Sequence, residues 1–176
     1  MKPLFAFALA TAGFASQQAM ADGITLTDLR ALEFDLETLP FDDYANSADR
    51  VTLLCSADCP GITAVDIQLG RAEEGTEQRV RDGTTDAADI TALCEQTASA
   101  TPGVECLSVE MVTADDYAGW LSDVGIPEEQ FITTYQVFGG DYAIRLQSLS
   151  PDRELARENA LTVFPLLMPQ LVESDG

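Results

Sequence analysis

Four cysteines, eight arginines and 30 carboxylates are the residues of this 176-residue chain whose types could carry chemistry. Cys55 and Cys59 stand at the end of an apolar run in "VTLLCSADCPG" (51–61), and Cys94 and Cys106 flank "EQTASATPGVE" (95–105). A redox dithiol needs a thiolate favoured by a nearby cation or a helix N-terminus. Here Asp58 lies between the thiols, the nearest arginine in sequence is Arg50, and the spacing is one residue longer than a CxxC pair. A four-cysteine zinc site is disfavoured by the wide gap from Cys94 to Cys106. An even number of cysteines in an exported chain predicts two disulfides. Four cysteines allow three connectivities, of which the sequential one, Cys55–Cys59 and Cys94–Cys106, closes two natural loops.

The charge excludes more than it assigns. The net charge is −21, no histidine occurs, and Lys2 is the only lysine. An imidazole base, a Ser-His-Asp triad and a His-ligated metal site are therefore ruled out. Nucleic acid, a polyanion, requires a basic face that the composition does not provide. Dispersed acids serve solubility. The carboxylate pairs Asp42-Asp43, Glu73-Glu74, Asp115-Asp116 and Glu128-Glu129 could in principle serve a glycosidase. In so acidic a chain such pairs arise from composition, and no calcium-loop pattern is present. No metal or other cofactor is expected. Arg71, Arg79 and Arg81 run against this background in "RAEEGTEQRVRDG". If that segment is a hairpin, Arg79 and Arg81 share a face and could bind an anion or a partner; the alternative is pairing with Glu73, Glu74, Glu77 and Asp82.

The elements that position these residues begin after a leader. "MKPLFAFALATAGFASQQAMA" has one cation, a short apolar core and small residues at Ala19 and Ala21, the layout of a cleaved secretory signal over 1–21. Residues 22–176 are then expected as one exported domain, periplasmic or secreted, with no membrane insertion after cleavage. Within it, "ALEFDLETL" and "RVTLLC" read as strands, "FDDYANSADR" as a connector and "ITAVDIQLG" as a half-buried strand. "TTDAADITALCEQTA" reads as a helix capped by Thr84 or Thr85, with Ile90, Leu93 and Cys94 inward. A strand over 104–112 and a helix in "DDYAGWLSDVG" follow. Two alternating runs separated by Gly139-Gly140 predict a hairpin. "SPDRELARENALTVF" predicts a helix with Ser150 as N-cap and Pro151 at its first position, kinked or ended by Pro165. The expected fold class is α+β: an antiparallel or mixed sheet packed on one face by helices, a single domain with two disulfides.

From about Val104, the strand, short helix, "YQVFGGDYAIRLQ" hairpin and "SPDRELARENALTVFPLL" helix resemble the closing part of PsbP-like and DcrB-like periplasmic or lumenal domains. That resemblance implies an accessory, non-catalytic role and carries no site residues. The expectation is an acidic, disulfide-stapled accessory or binding protein with a protein or small-ligand partner. The alternative is an enzyme using only carboxylates or thiols.

Overall fold

The computed structural model describes residues 23–172 except 27, 58 and 60; the expected leader and Asp58 lie outside the described residues. Seven strands form one antiparallel sheet: β1 (Asp43–Asn46), β2 (Arg50–Cys55), β3 (Thr63–Arg71), β4 (Glu105–Thr113), β5 (Ala118–Ile126), β6 (Gln130–Gly139) and β7 (Tyr142–Ser150). Their order across the sheet is β1-β2-β3-β7-β6-β5-β4. Helices α1 (Thr76–Arg81) and α2 (Ala87–Ser99) connect β3 to β4, and α3 (Arg153–Leu171) closes the chain. The protein is a single α+β domain with two disulfides.

Strand alternation gives the sheet two unlike faces. One face carries Val51, Leu53, Val65, Ile67, Ile144, Leu146, Val137, Tyr135 and Leu121, all in the buried core. Helix α3 lies on it, burying Ala156, Ala160, Val163, Phe164, Leu167 and Leu171 at helical spacing. Phe164 stacks on Tyr135 with ring centroids 4.0 Å apart. Along α3's far end runs the segment before β1, whose Ile24, Leu29, Leu32, Leu39 and Phe41 are buried in the same core. The backbone amides of Thr25 and Leu26 donate to the Leu171 carbonyl at 2.9 and 3.1 Å. The opposite face receives α2, so the helical layers are divided between both faces.

Several local expectations change. "ALEFDLETL" forms no strand: only a 3₁₀ turn, Leu29–Ala31, precedes a series of turns, and its leucines pack inward without a ladder. "FDDYANSADR" contributes the edge strand β1. "DDYAGWLSDVG" is strand β5 and no helix, because it lies between β4 and β6 and fills both ladders. "RAEEGTEQRVRDG" forms α1 rather than a hairpin. The hairpin turn is Gly140-Asp141, since Gly139 pairs with Tyr142. Asp152 caps α3, accepting from the Leu155 amide at 2.9 Å, while Ser150 ends β7. Pro165 and Pro169 both sit inside α3. A proline costs a helix about 3 kcal/mol, and the apolar stripe buried from Val163 to Leu171 offsets that cost.

A polar row crosses the α3 face of the sheet, with Asp123, Thr133 and Ser148 in register on β5, β6 and β7. Asp123 is 1% exposed. Its Oδ1 accepts from Thr133 Oγ1 at 2.8 Å, and its Oδ2 accepts from Ser108 Oγ at 2.8 Å, Arg157 Nη1 at 2.9 Å and Arg153 Nη2 at 3.1 Å. Arg157 also donates to Glu110 Oε1 at 2.6 Å. Burial would raise the Asp123 pKa, but the hydrogen bonds from Thr133, Ser108 and Arg153 and the charge of Arg157 outweigh it and hold the carboxyl below its ordinary range.

Two predictions follow from this packing. An ideal Cβ on Gly119 would lie 2.7 Å from Val137 Cα, so Gly119→Ala should lower stability by about 1–3 kcal/mol in urea unfolding. Asp123→Asn leaves two guanidiniums without their shared anion and should cost on the order of 3 kcal/mol near neutral pH. Because the folded-state pKa of Asp123 is depressed, its contribution is complete above the unfolded value of about 4 and is lost as pH falls through the folded value. The stability gap between wild type and Asp123→Asn should therefore be flat from neutral pH to mild acid and shrink below about pH 4.

Candidate ligand cleft

Helix α2 is placed by its two ends. At its start Asp86 accepts from the Ala88 and Asp89 amides at 2.8 and 3.0 Å, and Asp89 returns a bond to the Asp86 amide, a capping box. This cap lies one residue beyond the expected threonines. Toward its end Cys94 is bonded to Cys106 on β4, with the Cα atoms 5.7 Å apart. The helix is thus held against β4 and does not extend across β6 and β7, which leaves a cleft of about 340 Å³ between it and the sheet.

The cleft combines an apolar body with a polar rim. Ile90, Leu93 and Ala98 line the helix side, and Trp120, Val124 and Ile132 line the sheet side. Leu93, expected inward, is 55% exposed at the mouth, whereas Ile90 is buried. Trp120 is the only tryptophan and rests against Phe138 with centroids 5.4 Å apart. The polar rim comes from Thr134, Gln136, Arg145 and Gln147. None of the lining residues is a carboxylate.

The arginines singled out in the sequence lie elsewhere. Arg71 ends β3, 3.6 Å from Asp141, with its guanidinium carbon 4.7 Å from the Tyr142 ring centroid. Arg79 donates to Thr76 Oγ1 at 2.8 Å and to the Glu74 carbonyl at 3.2 Å. Arg81 holds Glu77 at 2.7 Å and donates to the carbonyls of Ala114 and Asp115 at 2.7 and 2.9 Å. A shared face for Arg79 and Arg81 required a hairpin; on α1 two residues are about 200° apart around the axis. Each guanidinium has separate intramolecular partners, and Arg81 and Glu77 join α1 to the sheet, Glu77 accepting from the Gly140 amide at 2.7 Å.

The cysteines are all in disulfides with the sequential connectivity. The Cys55–Cys59 loop is tied back by Asp42, which accepts from the Ser56 amide and hydroxyl and the Ala57 amide, each at 2.9 Å. These bonds, those to Ser56 foremost, hold the Asp42 carboxyl below its ordinary range. No group of three metal-ligating side chains converges among the described residues. Of the adjacent acid pairs, Glu128 and Glu129 occupy the β5–β6 turn at φ 68° and 55°. The two carboxylates that meet across strands are Asp123 and Glu110, bridged by Arg157. Asp123 is held ionised there, which suits an anchor for α3 and not a general acid.

The cleft was not among the sequence expectations. The sequence reading puts Trp120 on a helix, and only the strand register brings it into one row with Arg145. Replacing Cys94 and Cys106 by alanine should lower stability by about 3 kcal/mol, from the loop of intervening residues. Hydrogen exchange should then rise in α2 while the α3 amides keep their protection. The sequence matches no protein-family model and none of the curated proteins to which it was compared, so what the cleft takes must be read from its own chemistry.

Proposed function

We propose that this chain is an exported, disulfide-stapled binding protein, accessory rather than catalytic, whose ligand occupies the cleft beside α2. The observation that carries this reading is the cleft itself: about 340 Å³, apolar inside, with a few polar groups at one side, within the size range of small-molecule sites. Both disulfides fit an oxidising compartment outside the cytoplasm, and no helix among the described residues is long and apolar enough to cross a membrane. The leader expected over 1–21 supports a periplasmic or secreted location. The resemblance to PsbP-like and DcrB-like domains points the same way, through the strand, hairpin and closing helix; the short helix of that pattern is strand β5 here.

Phenylnaphthylamine, an uncharged fluorophore that brightens in apolar sites, tests the reading. It should bind saturably and accept excitation from Trp120, which lies in the cleft. Thr134→Phe fills the space from a half-buried strand position on the cleft side and should weaken binding by about tenfold or more without lowering the melting temperature. Absence of saturable binding, or equal binding by the filled variant, would remove the cleft from consideration.

A further inference from the structure

We propose that the cleft takes a small amphiphile with one anionic head, a carboxylate on an apolar tail, and that Arg145 binds the head. The proposal rests on the cleft being the binding site, and it adds the charge of the ligand and its direction of entry.

The first support is the state of Arg145. Six of the eight arginines, Arg30, Arg50, Arg71, Arg81, Arg153 and Arg157, pair with carboxylates, and Arg79 bonds to Thr76 and the Glu74 carbonyl. Among the described residues Arg145 alone of the arginines has a guanidinium that makes no hydrogen bond or ion pair, although its backbone pairs in the sheet. In a chain with 30 carboxylates, an arginine left without one marks a place from which acids are excluded. The cleft lining contains no carboxylate. The acid on the neighbouring strand of this face, Asp66, is already bound by Arg50 at 2.5 Å, Gln68 at 2.7 Å and Thr52 at 2.9 Å.

The second support is the alignment of head and tail positions. Trp120, Gln136 and Arg145 occupy one register row across β5, β6 and β7. Strands lie about 4.8 Å apart, so the row spans about 10 Å from the Arg145 backbone to Trp120. A guanidinium offers a carboxylate two parallel donors. Gln136 and Gln147 stand beside it on the rim and add amide donors, Gln147 already reaching Thr134 Oγ1 at 3.3 Å. A tail leaving that head runs over Gln136 toward Trp120, Ile132 and the α2 side chains. Extended, a medium-length acyl chain fits this path, and a dianion would meet only one cation in a strongly acidic molecule.

Decanoate and decanol share a tail and differ in charge, and each can displace phenylnaphthylamine near neutral pH below its aggregation limit. Decanoate should bind the wild type about ten- to a hundredfold more tightly than decanol. Arg145→Gln should abolish that preference while leaving decanol affinity and melting temperature unchanged, and Arg145→Lys should retain part of it. Equal displacement by the two in the wild type would overturn the anionic head and leave the cleft reading standing. Failure of phenylnaphthylamine and both competitors to bind would overturn both. A dimer in sedimentation that Leu93→Asp converts to monomer, with Trp120 emission unmoved by decanoate, would make the cleft a contact between copies and also end the proposal.

Discussion

The buried carboxylate of Asp123 sets the arrangement on which the rest of the molecule depends. It lies on the largely apolar face that α3 covers, where an unpaired charge is not tolerated, and its donors come from two strands, β4 and β6, and from α3. Arg153 and Arg157 are both on the first two turns of α3. Satisfying Asp123 therefore fixes the start of α3 over β5, and the apolar stripe that follows from Ala160 to Leu171 is laid along the sheet. Attraction alone would not make such a site stabilising, because desolvation consumes much of it; its use is to specify one docking of the helix.

That docking determines where the other face is left open. With α3 and the segment before β1 covering the core side, the helix that the described residues set on the opposite side is α2. The Cys94–Cys106 bridge keeps α2 toward β4. The result is an apolar floor around Trp120 that is partly roofed and a row of glutamines and one arginine that is not. The two faces thus differ in kind: one is closed by packing and a buried ion network, the other is stapled at its margin and accessible.

How much of this was legible can be argued from particular segments. The disulfide pairing was readable because short loops between cysteines restrict geometry, and the closing helix because its stripe and N-terminal acids are local. The strand "AGWLSDVGI" was missed because the positions it turns to the α3 face include Gly119 and Asp123, and a buried aspartate fits a strand only beside partners such as Thr133 and Ser148. The arginines of α1 misled for a related reason: their apparent common face depended on a strand period, and six residues with both glycines outside them formed a helical turn instead.

The sequence by itself determined the charge, the lack of imidazole chemistry, the oxidised cysteines and the α+β class, since composition and local spacing suffice for each. The tertiary structure alone decided which arginine is free. All eight look alike in one dimension, and any of them lies within a few residues of an acid. Pairing depends on which side chains the sheet register and the helix docking bring within about 3–4 Å. Arg145 borders a cleft whose lining holds no carboxylate, and no pattern along the chain records that.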